Sequence, residues 1–438
     1  MKKEEVMPRR LALKTLKKIY ASGQYSNIAV DKMLESSDMS PADRGLFTAI
    51  TMGVIEHKLT LDYYIQRLAD SPDKTDDNTR IILYIGLYQL MYLDRIPEYA
   101  AINETVDLCP RRTRGFVNAI LRSYLRQKNS IELPDREADT IEYLSVKYSF
   151  PRELCKRFVN IFGEERAERI FEIYNLAPDM TLRVNTLKIS RDAYASLLSG
   201  SGIEYEYTKN SPVGIHVRGA SFASLPKADE GCFFVQDEAS QICVEATGVK
   251  AKDVLVDCCS CPGSKSFGCG IKMNNTGKIL SCDLHGSKLS LVRDGAERLG
   301  IDIISVREAD ARKVIGELVG SADVLLCDVP CSGFGVVGKK PEIRYKDLSE
   351  SDKLPKIQGD ILENVSKYVK VGGVIVYSTC TLFPEENECV VDSFISRHPE
   401  FVFEDFSVGE IHSADGKLTL TPDIHKTDGF FIAKMRRI

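Results

Sequence analysis

From about residue 236 to the end of the chain, short apolar runs alternate with helical patterns, and several of the runs finish on an aspartate. Asp253 to Asp257, Lys278 to Asp283, Asp302 to Val306, Asp323 to Asp328 and Gly373 to Ser378 predict strands, and Phe430-Phe431-Ile432-Ala433 predicts a closing one. Ser287 to Leu299 and Glu385 to Arg397 predict helices between them, the second opening on acids as the helix dipole favours. Few folds satisfy such alternation. It predicts an α/β Rossmann-like domain, a mostly parallel sheet with helices on both faces. Ligands of such sheets bind outside the carboxyl ends of the strands.

The rest of the chain reads differently. Leu11, Leu13, Leu16 and Ile19 recur at near-helical spacing, as do Leu46, Ile50, Met52, Val54 and Ile55; Ile81 to Leu93 and Phe116 to Leu125 are apolar and periodic. Residues 5–130 are therefore expected to be all-α, with an exposed loop from Asp70 to Asp77. A linker is expected over 127–140. The segment up to 235 is expected to be a small α+β part, with a helix after Pro151 and strands at Leu182-Arg183-Val184-Asn185 and Gly214-Ile215-His216-Val217. The expected divisions are 1–130, 131–235 and 236–438.

No apolar run among the 438 residues reaches the roughly 20 needed to span a bilayer. The opening Met1-Lys2-Lys3-Glu4-Glu5 lacks the apolar stretch of a signal peptide. A cytoplasmic monomer is expected, with no membrane association. In that compartment the 13 cysteines are packed or reactive rather than disulfide-paired. Net charge is −5, but residues 1–130 hold 20 Lys and Arg against 16 Asp and Glu. Lys2 to Lys18 carries seven bases and two acids, and Arg111, Arg112 and Arg114 form a second basic knot. This asymmetry fits an N-terminal part that touches phosphates, and equally a solvated helical face.

The turn after the first strand of the α/β part is Asp257-Cys258-Cys259-Ser260-Cys261-Pro262-Gly263-Ser264-Lys265. Small residues and a Pro-Gly pair at a helix start let backbone amides approach a cofactor closely. Asp283, ending the next strand, falls where ribose hydroxyls are bound. Asp310, after the third, is placed to accept from an adenine amino group. One aspartate at a strand end is as readily a turn former; three in register point to a nucleoside-binding cleft. Two look-alikes are set aside. Gly333 to Gly338 has the spacing G-x-G-x-x-G, but Lys339-Lys340-Pro341 follows where a helix should open, so a flexible active-site loop is expected there. Cys258-x-x-Cys261 has zinc or redox spacing, yet no second pair completes it and the six histidines are scattered. No metal is expected.

Asp328-Val329-Pro330-Cys331-Ser332-Gly333 and Ser378-Thr379-Cys380 each end a strand and deliver a carboxylate and two thiols to one crevice. That set suits attack of sulfur on a flat, electron-poor ring. Carbon 5 of cytosine is a poor nucleophile until a thiolate adds at carbon 6 and makes it enamine-like. Asp328 suits contact with the ring's nitrogen edge, and the target base must leave any stack. Spacing leaves both Cys331 and Cys380 open as the nucleophile.

Over nearly its whole length the chain resembles the RsmB (Sun/Fmu) family of bacterial 16S rRNA cytosine-5 methyltransferases. The motifs are Asp257 to Lys265, Asp328 to Gly335, Lys339 to Tyr345 and Tyr377 to Glu388, with Val235 to Ser240 upstream. Ile85 to Leu90, Ala101 to Val106 and Gly115 to Arg122 look like a NusB-type RNA-binding domain. The resemblance implies a class I methyltransferase domain behind a NusB-like one, and S-adenosylmethionine as donor. It implies that Cys259 to Lys265, Asp283, Asp310 and Asp328 hold the donor. It also implies that Cys380 is the nucleophile, that Cys331 helps elimination and release, and that one cytosine of small-subunit rRNA, free or in an early assembly particle, is the substrate. Two departures stand out. Ser264 replaces a glycine, which would strain the turn if that site needs positive φ. Lys339-Lys340 stands where the family often has arginines, keeping charge for phosphates and losing bidentate geometry. A non-catalytic RNA-binding factor with a decayed transferase domain, and a transferase acting on tRNA or another rRNA site, are the alternatives.

Overall fold

The structure is a computed structural model describing residues 7–23 and 25–438. The Lys2 to Glu5 part of the basic opening, and the start of the expected helical region, lie outside them. The chain divides into two compact units: Met1–Leu176 with Val337–Lys346, and Ala177–Val336 with Asp347–Ile438.

The first unit is helical: α1 Met7–Ser22, α2 Ser26–Glu35, α3 Pro41–Glu56, α4 Lys58–Leu68, α5 Asp77–Tyr92, α6 Glu98–Val106, α7 Arg114–Gln127, α8 Thr140–Tyr148, α9 Arg152–Phe162 and α10 Glu164–Tyr174. Local chemistry sets the starts. Ser40, ahead of Pro41, accepts from the Asp43 amide at 3.2 Å. Asp76 accepts from Thr79 at 3.0 Å, which puts Asp77 inside a helix rather than in the expected loop. Helix α5 is the centre of the bundle, with every residue from Ile81 to Gln89 buried; a helix apolar on all sides has no other stable position.

The loop expected over Gly333 to Gly338 carries no helix or strand, and the residues that follow it are held in the helical unit. Pro341–Tyr345 forms a 3-10 turn packed within the helical unit. Arg344 is fully buried there. Its Nη1 donates to the carbonyls of Glu56 at 2.8 Å, Tyr148 at 3.3 Å and Ser149 at 3.4 Å, and to Asn175 Oδ1 at 3.0 Å. The Tyr345 hydroxyl donates to Ile55 O at 2.8 Å. A strap fixed by a guanidinium in a cage of carbonyls is not free to swing.

The second unit carries two sheets. The small one runs β2-β3-β1-β4, all antiparallel, from β1 Met180–Val184, β2 Tyr205–Tyr207, β3 Gly214–Val217 and β4 Phe233–Val235, with α11 Arg191–Gly200. The large sheet uses β5 Val254–Asp257, β6 Lys278–Asp283, β7 Ile304–Glu308, β8 Ala322–Asp328, β9 Val369–Thr379, β10 Phe401–Phe403, β13 Lys417–Leu420 and β14 Phe430–Arg437, while β11 Ser407–Val408 and β12 Ile411–His412 pair alone. Its helices are α12 Glu238–Ala246, α13 Ser264–Lys272, α14 Leu289–Leu299, α15 Leu348–Ser351, α16 Leu354–Val365, α17 Glu388–Arg397 and α18 Pro422–His425. The order is β10-β14-β9-β8-β5-β6-β7; β7, β6, β5, β8 and β9 are parallel, and β14 joins β9 antiparallel. Chain order reverses between β5 and β8, a topological switch point where such sheets open a crevice. Strand β8 is buried along Val324 to Cys327 because both faces are covered.

Two expected elements shift. The third strand starts at Ile304, because Asp302 is held in a loop by Asn275, whose Oδ1 accepts from the Asp302 amide at 2.9 Å. The helix expected from Glu385 starts at Glu388, because Glu386 and Asn387 turn into the interior.

Candidate active site

The register that pairs Asp328 with Ser378 sends the ends of β8 and β9 out of the sheet side by side. Cys331 and Cys380 follow directly, and their sulfurs lie 3.1 Å apart. The Cys380 amide donates to Cys331 Sγ at 3.3 Å, and the Gly335 amide to Cys380 O at 2.9 Å. Both thiols are half-buried. The Cys380 sulfur alongside, then burial, hold the Cys331 thiol well above the ordinary range, with Glu386 and Asp328 adding to it. These surroundings disfavour the thiolate of Cys331.

The turn carrying Cys331 rests on residues that the sequence did not single out. Glu386 Oε2 accepts from the Ser332 amide at 2.9 Å and from Gln358 Nε2 at 2.9 Å, and Gln358 also reaches Pro330 O at 3.1 Å. Ser332 and Thr381 share a hydroxyl contact of 2.8 Å. Asn387 Nδ2 donates to Thr381 O at 3.1 Å and ties down the residue after Cys380. Glu386 and Asn387 fall within the Tyr377 to Glu388 motif, but their stretch read as a helix start and not as a support for this turn.

Asp328 is fully engaged. Lys265 Nζ donates to Oδ2 at 2.7 Å and the Ser378 hydroxyl to Oδ1 at 2.7 Å. Burial would lower the Lys265 pKa, but Asp328, then the Cys243 and Cys380 thiols nearby, raise it above the usual range. Lys265 stays an ammonium ion, with 10 % of its side chain exposed, and lies over the Phe430 ring at 5.0 Å.

The turn between β5 and α13 is held by main-chain bonds from Cys258 to Leu326 O at 3.1 Å and from Ser260 to Cys282 O at 2.8 Å. Gly263 has φ 108°, and a Cβ there would stand 2.6 Å from Phe267 Cζ. Ser264 is the first residue of α13 and is absent from the positive-φ positions, so its side chain brings no strain. The glycine requirement falls one residue earlier than the departure from the family pattern. Asp283 accepts from the Cys261 amide at 3.3 Å and the His285 amide at 2.9 Å. Asp310 follows Ala309, whose amide donates to Asp283 O at 2.9 Å, and both its oxygens are taken by Arg312 Nε at 2.9 Å and Nη2 at 3.0 Å. Asp257 is fully buried, accepts from Ser266 Oγ at 2.6 Å, and is pushed up to about 7 by burial against the opposing Ser266 bond.

These residues fit S-adenosylmethionine. Gln236 Oε1, Ser260 Oγ and Asp257 Oδ1 are buried around the turn with no hydrogen-bond partner. Buried polar atoms in proteins are normally paired, so an orphaned set beside a glycine turn suits a polar ligand. Cys258 is buried, and among the described residues no group of three or more His, Cys, Asp or Glu could hold a metal ion.

The basic candidates lie in the helical unit. Arg111, Arg112 and Arg114 are exposed; Arg112 is 4.0 Å from Asp76, and Arg114 donates to Cys109 O at 3.2 Å. Lys339 and Lys340 are half-buried on the strap. Among the described residues no helix is long and apolar enough to cross a membrane.

A parallel sheet with a glycine turn and strand-end acids at its switch point places the second unit among the Rossmann-like methyltransferases. The chain belongs to the RsmB/F family of 16S rRNA methyltransferases, whose methyltransferase domain matches residues 246–436. The NusB family matches 7–126, and the ferredoxin-like domain of RsmF/B-like methyltransferases matches 150–222. "Probable ribosomal RNA small subunit methyltransferase B" of Bacillus subtilis (strain 168) is 35% identical over 100% of both chains. The crystal structure of PH0851, 25% identical, covers 98% of this chain and 99% of its own with a TM-score of 0.82. A methyltransferase homolog protein from Pyrococcus horikoshii, 27% identical, covers 68% of this chain and 99% of its own with a TM-score of 0.60. The all-α, small α+β and α/β order read from the sequence is met, and the chain is an rRNA methyltransferase of this family.

Proposed function

We propose that the chain transfers a methyl group from S-adenosylmethionine to carbon 5 of one cytosine in small-subunit rRNA, through a transient bond between Cys380 and carbon 6. The observation that carries this reading is the pair of sulfurs 3.1 Å apart beside the Lys265–Asp328 ion pair. S-adenosylmethionine, when bound, supplies an electrophilic methyl group. Cys259 to Lys265 with Asp283 and Asp310 would hold it, Asp310 by releasing Arg312. The Cys380 thiolate bonds to carbon 6, and the ring electrons it displaces make carbon 5 nucleophilic. Asp328, oriented by Lys265 and Ser378, accepts a further hydrogen bond from the exocyclic amino group of the base and fixes its edge. Carbon 5 takes the methyl group and leaves the donor a neutral thioether; a water then takes the carbon-5 proton, the carbon–hydrogen electron pair reforms the 5,6 double bond, and the carbon–sulfur bond breaks with its pair returning to Cys380. Cys331, held as a thiol, donates to the departing sulfur.

Residues 236–438 would do this chemistry, and residues 1–130 and 131–235 would bind RNA as part of a monomer, with Arg111, Arg112, Arg114, Lys339 and Lys340 meeting phosphates. The strain at Ser264 that would favour a decayed transferase is absent. The test is tritium transfer from methyl-labelled donor to unmodified 16S rRNA, followed by bisulfite sequencing. The expected outcome is one cytosine protected from conversion; a protected site in tRNA alone, or full turnover by Cys380→Ala, would overturn the reading.

A further inference from the structure

The helical unit holds an exposed aromatic ring that none of its packing explains. Tyr25, ahead of α2, is 42 % exposed. Its ring has Lys340 Nζ at 5.5 Å and Lys346 Nζ at 6.0 Å from its centroid. Its position is set from the strap: Glu342 accepts from the Ser26 amide at 3.1 Å and from the Ser26 hydroxyl. Between the two lysines on the strap is Tyr345, with Lys58 Nζ 5.5 Å over its ring. Lys58 in turn lines a cleft of about 700 Å³ with Lys17, Tyr20, Asp62, Asn78 and Arg80. The Asp62 carboxylate there is already compensated by Arg80 at 3.4 Å, Lys58 at 3.9 Å and the Tyr84 hydroxyl at 2.6 Å.

We propose that Tyr25, with Lys340 and Lys346 close by, stacks one unpaired base of the rRNA substrate, and that the cleft takes the neighbouring nucleotide, with Lys17 and Lys58 meeting its phosphate. The partner class follows from the chemistry. A flat ring with cations close by accepts any base by stacking while the ammonium groups meet the backbone. Bases inside an A-form duplex cannot reach such a ring. The inference rests on the rRNA reading above and adds where on the helical unit the strand is gripped.

Anisotropy with the full chain and a labelled unstructured 15-nucleotide RNA, free and as a duplex, tests it across a salt series. Tyr25→Leu should weaken single-strand binding by about tenfold, leave duplex binding and the salt slope alone, and be rescued by Tyr25→Phe. Lys340→Gln and Lys346→Gln should each flatten the log–log salt slope by about 0.7. Lys58→Gln, on the cleft, should flatten that slope by the same amount. Unchanged single-strand affinity in Tyr25→Leu, or equal losses on strand and duplex, overturns the proposal. An unchanged salt slope in Lys58→Gln overturns its cleft half. Donor binding and methyl transfer by the same variants separate the two readings. A chain that methylates rRNA but binds the strand without Tyr25 refutes only the grip. One that binds through Tyr25 but methylates nothing refutes only the chemistry.

Discussion

The Cys380 sulfur beside it, burial and the Glu386 and Asp328 carboxylates all disfavour a Cys331 thiolate, which suits it to a role other than attack. Cys380→Ala should lower turnover by about three orders of magnitude or more, as removal of a nucleophile does. Cys331→Ala should instead stall release, and a protein–RNA band surviving denaturing electrophoresis should build up in that variant and not in Cys380→Ala. Asp257 makes a separate prediction. Burial holds its folded pKa near 7, above the value of 3.8 for an unburied side chain. The folded state therefore binds the extra proton, and the stability this brings is fully present below pH 3.8 and lost as pH rises through about 7. Glu56, raised to about 7 mainly by burial, changes in the same direction, so the informative quantity is the difference in melting temperature between wild type and Asp257→Asn. That difference should fall across pH 4 to 7, by an amount equivalent to about 4 kcal/mol at most, and be flat above pH 8. The thiols, Asp328 and Asp283 were legible in the sequence because each ends a strand and strand ends converge. Glu386, Gln358 and Asn387 were not, because their work depends on which turn the fold brings against them.

The turn from β5 into α13 concentrates its demands on one glycine. At φ 108° with Phe267 2.6 Å from a notional Cβ, Gly263→Ala should destabilise the chain by about 1–3 kcal/mol and weaken donor binding by at least tenfold in calorimetry. Ser264→Gly, one residue later in helical backbone, should leave donor affinity within about twofold. The parallel strands could be read in advance because both of their faces are covered, which makes them continuous apolar runs. Strands β10 and β13 could not. Phe401–Phe403 and Lys417–Leu420 are three and four residues long, and only their pairing with β14 makes them strands. The same pairing turns the closing strand antiparallel to β9, a direction that no local pattern encodes.

At the scale of the whole chain, the helical unit is discontinuous: it needs Val337–Lys346 as well as the first 176 residues. Arg344→Met would strip a donor from three carbonyls and one amide oxygen in a fully buried setting. It should cost about 3 kcal/mol. In calorimetry the helical unit's transition should drop while donor binding by the other unit persists; loss of both together would contradict the division. The motif Lys339 to Tyr345 was visible as a motif in the sequence, but its destination was not, since Arg344 reads locally as a surface charge and becomes interior only through partners at Glu56, Tyr148 and Ser149. That wiring carries a cost in time. At about 5–20 residues per second, a ribosome takes roughly ten to thirty seconds to travel from Leu176 to Val337. Throughout that interval the nascent bundle waits with its carbonyl cage open, exposed to proteases and to premature association, and only the late arrival of one guanidinium closes it.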